Sequence, residues 1–379
     1  MTNLTRWYRQ LDSSITEPLW LFVITRLALV VLVYIGLIVL PENPAFHPWH
    51  LFPENLWLDG WFRWDSGWYI DIARYGYTNL ANLDGQRDTA FFPLFPLLAG
   101  WLGRLIGSIP IAGLLISVAS SLTATILFFQ LVTKKYGQDL ATRSITLWLL
   151  WPFSFYLTTM YTEPLFVLLA VGAFYLAERR QWAYAALLAG LASGTRSIGV
   201  LVGVGLLLLY LEQKQYRWSA IKVDILWLLL APLGLVAYIY FLAQRFGEPL
   251  AFVASQQAAN WAGSWDLKPD ATVAAVVAGG ANSGPLALLL SGQIPVISGI
   301  HAFIFVAAIG LVIWQWRKLT TPYAVWTILT LLVSATLQKY GPVFSGTLPR
   351  LHCSGDGDRK KGEAVSSCIN GLHPSISPF

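Results

Sequence analysis

Long apolar runs separated by short polar segments dominate the chain. A helix needs about 20 apolar residues to cross the hydrocarbon core of a bilayer. Residues 19–40 and 109–132 meet that length, and shorter or interrupted runs lie at residues 145–157, 165–177, 182–211, 223–242, 294–314 and 322–337. The pattern predicts an all-α polytopic membrane protein of about eight to ten transmembrane helices, in one membrane domain over residues 1–350.

Two apolar segments are irregular. Residues 91–106 are short and contain Pro93 and Pro96, which favours a re-entrant or interfacial helix. Residues 182–211 have basic residues at both ends, and basic flanks are typical of the cytoplasmic side. One crossing cannot place both ends inside. We therefore predict two short helices that meet at residues 193–197, where Gly and Ser permit a break.

Basic residues also set the sidedness of the chain. Arg6 and Arg9 precede the first run and predict a cytoplasmic N-terminus. Residues 41–89 then form a long first extracytoplasmic loop. Arg26 lies within the first run, and we expect its side chain to snorkel to the lipid headgroups.

Composition narrows the class of protein. Hydrophobic residues make up 56% and charged residues 12%, whereas soluble domains carry roughly 25% charged residues. This argues against a soluble enzyme, a disordered chain and a secreted scaffold. The net charge of +5 comes from basic residues scattered between apolar runs. We therefore expect a lipid bilayer, and no nucleic acid, as the partner of those charges.

Asp65 in the first extracytoplasmic loop is the leading candidate for chemistry. Aromatic residues surround it in the sequence, and partial desolvation would raise the pKa of its carboxyl and make it a better proton acceptor. The alternative is a structural role, because Asp is also a favoured N-cap of the helix that follows.

Other polar residues of this loop have two interpretations as well. Trp64 can stack on a sugar ring or anchor the chain at the membrane interface. Asp71 and Arg74 are three residues apart, a spacing that favours a structural ion pair on one helix face. His47 and His50 lie without a carboxylate cluster, so we expect no metal site and no cofactor.

Glu163 and Arg196 are charged residues next to apolar segments. Glu163 opens a helix, where a carboxylate complements the helix dipole. An arginine in an apolar stretch is costly and marks a functional site by default. Arg196 can pair with a carboxylate such as Glu163, or its planar fork can hold a phosphate. Together with Asp65 these residues predict an outward-facing cavity, which a lipid or lipid-linked-sugar transporter or flippase would also have.

The polar blocks occur in an order that resembles the GPI mannosyltransferase II (PIG-V) family, of the GT-C class of polytopic glycosyltransferases. The resemblance covers residues 15–350 and rests on RWDS, IARYGY, AFFPLFP, YTEPLF and GLASGTRSIG, at residues 63–66, 72–77, 90–96, 161–166 and 190–199. It implies a GT-C-like helix bundle with a long first extracytoplasmic loop.

The resemblance also implies a reaction. A sugar, typically mannose, would move from a polyprenyl-phosphate-linked donor to an acceptor hydroxyl on the extracytoplasmic face of a bacterial plasma membrane. Asp65 matches the family's general base, and we expect Arg196 to stabilise the leaving phosphate while the anomeric centre inverts. The expected substrate-binding residues are Arg63, Trp64, Arg74, Glu163, Arg196 and Arg350. The acceptor would be a glycolipid, a polysaccharide or a protein.

The chain departs from the family after Arg350. Residues 351–379 are polar where another apolar span is expected, and they hold both cysteines and none of the 18 tryptophans. We hypothesise that they are a frameshifted or misassembled tail; a natural disordered C-terminus is the alternative.

Overall fold

The structure, a computed structural model, describes residues 13–39, 50–82, 86–256, 306–315 and 320–337. Its helices are α1 (Ser13–Val39), α2 (Leu56–Asp59), α3 (Ser66–Tyr75), α4 (Leu94–Ile106), α5 (Ile109–Tyr136), α6 (Gln138–Leu150), α7 (Thr162–Ala177), α8 (Trp182–Ser193), α9 (Val200–Gln213), α10 (Leu233–Phe246), α11 (Ala251–Gln256), α12 (306–314) and α13 (Thr321–Leu337). Short 3₁₀ segments are Asp88–Ala90, Pro152–Leu157, Ser197–Gly199, Trp218–Ala220 and Val223–Leu230. No strand occurs in these ranges, and the predicted all-α class is confirmed.

Within the described residues, two single helices are long and apolar enough to cross a bilayer. They are α1 and α5, which correspond to the predicted runs at residues 19–40 and 109–132. The 3₁₀ segment Val223–Leu230 and α10 are bent by 42° at a short break and add a third span if they count as one. The chain is therefore an all-α membrane protein. The total of eight to ten crossings stays a prediction.

The predicted break within residues 182–211 is confirmed. Helix α8 ends at Ser193 and α9 begins at Val200. At the end of α8, the hydroxyl of Ser193 donates to the carbonyl of Gly190 at 2.7 Å, and that of Thr195 donates to the carbonyl of Ala192 at 2.6 Å. The same carbonyls also accept the backbone N–H groups of Gly194, Thr195 and Arg196, so the two hydroxyls add to the hydrogen bonds that close the helix end. The break leaves Arg196 in extended backbone between the two helices.

Helices α5 and α7 form the centre of the core, with α4, α6 and α8 packed around them. Small residues let them approach closely, as in other membrane bundles. A methyl group added to Gly113 of α5 would lie 2.5 Å from Met160 Cε. One added to Gly172 of α7 would lie 2.9 Å from Leu188 of α8. The core therefore fixes the segment before α7, where the candidate site lies.

The prediction that Arg26 snorkels to the headgroups is wrong. Its side chain is buried, with 7% exposed, and it points from α1 to the end of α6. The guanidinium donates to the carbonyls of Leu149 at 2.5 Å and Ser154 at 2.8 Å, and to the hydroxyl of Thr158 at 3.1 Å. The last carbonyls of a helix lack helical donors and carry partial negative charge, so they attract this cation.

Candidate active site

The loop that carries Asp65 is fastened to the segment before α7. The hydroxyl of Tyr161 accepts a hydrogen bond from the backbone N–H of Asp65 and donates one to the carbonyl of Arg63, both at 3.2 Å. The hydroxyl of Ser66 donates to the carbonyl of Met160 at 3.2 Å. One phenol thus fixes the backbone on both sides of residue 64.

Asp65 directly precedes α3 but does not cap it. Its backbone is already helical, with φ −63° and ψ −17°, and its side chain makes no capping hydrogen bond. Within the described part of the chain, its carboxylate forms no hydrogen bond or ion pair. The capping interpretation therefore fails, and the carboxylate is available as a proton acceptor.

The surroundings of Asp65 favour its protonated form. Burial raises the pKa of its carboxyl to about 6, the negative charge of Glu163 adds to the increase, and Arg196 opposes it. Residues far apart in the sequence are thus close enough in space to act on one carboxyl. A general base is most effective when its pKa lies near the working pH.

Glu163 and Arg196 form an ion pair at the helix break. Their side chains are 33% and 36% exposed, so solvent and solutes can reach the pair. The Nη1 of Arg196 also donates to the hydroxyl of Thr162 at 3.3 Å. That hydroxyl lies 3.2 Å from the hydroxyl of Tyr69. Among the described contacts, the guanidinium of Arg196 uses only Nη1. Since a guanidinium carries five donors, others remain to bind an anion.

Trp64 has an uncommon backbone conformation. Its φ is +50°, and 67% of its side chain is exposed. A bulky residue at positive φ is a genuine outlier. Its indole lies beside the ring of Phe155, with ring centroids 6.4 Å apart. The indole therefore stands at the surface beside Asp65, and both its stacking and its anchoring roles stay predictions.

The guanidinium of Arg63 is already in an ion pair. It donates to the buried carboxylate of Asp59 at 2.5 Å. Asp59 also accepts the backbone N–H groups of Leu51 and Phe52 at 2.8 and 3.0 Å, and its Oδ2 lies 2.8 Å from His50 Nδ1. Burial raises the pKa of Asp59, but these donors and the charge of Arg63 outweigh it, and the pKa is lowered overall. Arg63 thus anchors the loop.

Arg74 lies away from Asp65 and without its expected partner. The two residues are at opposite ends of α3, nine positions and about 14 Å apart along the axis. Asp71 and Arg74 form no ion pair in the described chain, and the prediction of one is wrong. Both side chains are exposed. Arg350 lies outside the described residues.

Sequence reasoning missed Asp59 and gave no role to Tyr161. Asp59 carries one signal, its spacing of four residues from Arg63, which would favour an ion pair if both residues lay in one helix. The helix ends at Asp59, and the two side chains pair across the loop that follows. The role of Tyr161 depends on a contact with residues almost a hundred positions earlier, and nothing local indicates it. Within the described residues, no three His, Cys, Asp or Glu side chains form a group that could hold a metal ion.

Comparison with known proteins agrees with the resemblance. Residues 53–241, about half of the chain, match the family model described as Mannosyltransferase (PIG-V). This range includes Asp65, Glu163 and Arg196.

Curated relatives match about half of the chain. The GPI alpha-1,6-mannosyltransferase 2 of Rattus norvegicus is 33% identical over 219 residues, 52% of this chain and 43% of the relative. The proteins of the same name from Mus musculus and Cricetulus griseus are 33% and 34% identical, with the same shares covered. The matched region thus spans less than half the length of these relatives. No solved structure matches the chain. The family match and these relatives together show that the chain belongs to the PIG-V-like mannosyltransferase family.

Proposed function

We propose that the chain is a membrane mannosyltransferase. It would transfer mannose from a polyprenyl-phosphate-linked donor to an acceptor hydroxyl on the extracytoplasmic face, with inversion at the anomeric carbon. The carboxylate of Asp65 carries the proposal. It is partly buried, it has no hydrogen-bond partner in the described chain, and its pKa is about 6, beside the partly exposed Glu163–Arg196 pair.

Asp65 acts as the general base. It takes the proton of the acceptor hydroxyl as that oxygen attacks the anomeric carbon of the donor. The bond between the anomeric carbon and the phosphate oxygen breaks, and its electron pair leaves with the polyprenyl phosphate. A single displacement of this kind inverts the anomeric centre.

Arg196 stabilises the leaving phosphate with the donors that Glu163 does not occupy. A guanidinium held in place before the reaction stabilises developing negative charge without reorganisation. Glu163 is a positioning residue, because it holds Nη1 of Arg196 and also raises the pKa of Asp65. The exposed indole of Trp64, next to Asp65 in the chain, stacks on the transferred sugar.

The test is transfer of radiolabelled mannose by the purified chain in proteoliposomes. The acceptor is supplied as a lipid extract from cells that lack the enzyme. We expect Asp65→Asn to lower the rate at least a hundredfold, since general-base catalysis is worth roughly 10²–10⁴. Asp71→Asn is the matched control, an exposed carboxylate on the same helix, and should keep the wild-type rate.

Two outcomes would contradict the proposal. One is transfer by Asp65→Asn at the wild-type rate. The other is movement of lipid-linked mannose across the membrane with no transfer product, which would indicate a transporter. NMR of the product decides the stereochemistry, and an anomeric configuration equal to that of the donor would refute inversion.

A further inference from the structure

We propose that a cleft at the far end of α3 binds the phosphate of an anionic lipid through Arg74 and Arg104. The cleft has a volume of about 530 Å³ and lies between α3, the end of α4 and the start of α5. Its walls include Arg74, Arg104, Leu51, Phe52, Ile109 and Pro110. Because it lies at the opposite end of α3 from Asp65, it is separate from the candidate active site.

Close helix packing places the two arginines at this cleft. A methyl group added to Gly100 of α4 would lie 2.9 Å from the carbonyl oxygen of Ala73 in α3, so the helices almost touch there. Arg74 follows Ala73, and Arg104 lies one helical turn beyond Gly100. Arg74 and Arg104 therefore both lie near the point where α3 and α4 cross.

The charge of this cleft is unbalanced. Among the described residues, no acidic side chain lines it and neither arginine forms an ion pair. Asp71 is the nearby carboxylate. Partial desolvation raises the pKa of Asp71 and the positive charge of Arg74 lowers it, but the two side chains form no ion pair. A second cleft of about 330 Å³ is different, because Glu17 and Asp139 share its walls with Arg143.

The chemistry of the walls points to a lipid phosphate. Guanidinium groups match the planar geometry of phosphate oxygens and bind them with paired hydrogen bonds. Leu51, Phe52, Ile109 and Pro110 provide an apolar surface beside the two charges. A free phosphate would use the arginines and leave that surface in water. A phospholipid would cover it with glycerol and acyl carbons.

Native mass spectrometry of the purified full chain tests the proposal without any need for catalysis. The probes are phosphatidylglycerol and phosphatidylcholine, which have similar acyl chains and different net charge. We expect the wild type to retain phosphatidylglycerol about ten times better, and Arg74→Gln/Arg104→Gln to lose that preference. Arg143→Gln, in the cleft of mixed charge, should keep it. So should Asp65→Asn, which separates this site from the proposed reaction.

Three results would overturn the assignment. They are unchanged preference in the double variant, an equal loss in Arg143→Gln, and displacement of the lipid by glycerol 3-phosphate at equal concentration. The last would show that the phosphate alone is recognised. If the double variant does not fold, Arg74→Gln and Arg104→Gln are measured singly, and each must lower the preference several-fold for the proposal to stand.

Discussion

Asp65 derives its proposed chemistry from its surroundings. An exposed aspartate at neutral pH is fully ionised and a weak base. Burial beside Glu163 brings its pKa to about 6, close to the pH at which a proton acceptor works best.

The pH dependence of transfer follows from this pKa. Below pH 6 the carboxyl of Asp65 is protonated and cannot accept the acceptor's proton. We therefore expect kcat/KM to rise about tenfold per pH unit below pH 6 and to level off above it. A profile measured between pH 4.5 and 8 checks this. A flat profile would contradict the role of Asp65.

Glu163→Gln supplies a control for that profile. It removes a negative charge that raises the pKa of Asp65, and it frees Arg196, which lowers that pKa. Both effects act in the same direction, so the midpoint of the profile should move to lower pH. A shift to higher pH would show that another group titrates.

The sequence indicates the charged residues of the site better than the residues that hold them. Asp65, Glu163 and Arg196 are conspicuous because charge is rare in this chain and because they fall in family-like blocks. Tyr161 and Asp59 are not conspicuous in the sequence, because their roles depend on tertiary contacts. The phenol of Tyr161 bridges two backbone groups, and the carboxylate of Asp59 accepts hydrogen bonds from two backbone N–H groups.

At the scale of elements, one arginine joins α1 to the end of α6. We expect Arg26→Gln to destabilise the protein by about 2–3 kcal/mol, because it leaves buried carbonyls of Leu149 and Ser154 without a charged donor. Thermal unfolding in detergent measures the change. Arg143→Gln, an exposed arginine on α6, should alter stability by no more than about 0.5 kcal/mol. Equal effects of the two changes would contradict the role of Arg26.

The backbones of α8 and α10 approach closely beside the helix break. A methyl group added to Gly234 would lie 2.2 Å from the Gly190 oxygen and 2.4 Å from the Gly194 nitrogen. Gly234→Ala must therefore displace the segment that carries Arg196. We expect a loss of about 1–3 kcal/mol in stability and roughly tenfold or more in transfer rate.

Gly310→Ala is the matched control for this change. A methyl group at Gly310 meets no atom of the described residues within 4 Å, so both stability and transfer rate should stay near the wild-type values. If Gly234→Ala behaves in the same way, the contact between α8 and α10 does not position Arg196.

Elements were predictable where the signal lay in one stretch of sequence. Basic residues at both ends of an apolar run were enough to predict the break between α8 and α9. The same local reasoning was wrong for Arg26, because it treated α1 as a single helix facing lipid. The carbonyls that bind Arg26 lie more than a hundred residues later in the chain.

At the scale of the whole molecule, the proposed sidedness is open to a direct test. In a background of Cys353→Ser and Cys368→Ser, a cysteine at Leu80 should react with a membrane-impermeant maleimide on intact cells. A cysteine at Arg179 should react only after the membrane is opened. Labelling of both positions from one side would refute the topology, and with it the outward-facing site.

The left-handed backbone of Trp64 has a consequence for the energetics of the chain. Left-handed backbone costs an ordinary residue about 1–2 kcal/mol, whereas glycine adopts it freely. Since most of the indole is exposed, Trp64→Gly loses little packing, and we expect the variant to unfold at the same temperature as the wild type or higher. A lower temperature would show that the indole supports the fold. If the expectation holds, folding alone gives no reason for tryptophan at position 64, and its benefit lies outside the fold, in stacking on a sugar or in anchoring at the membrane interface.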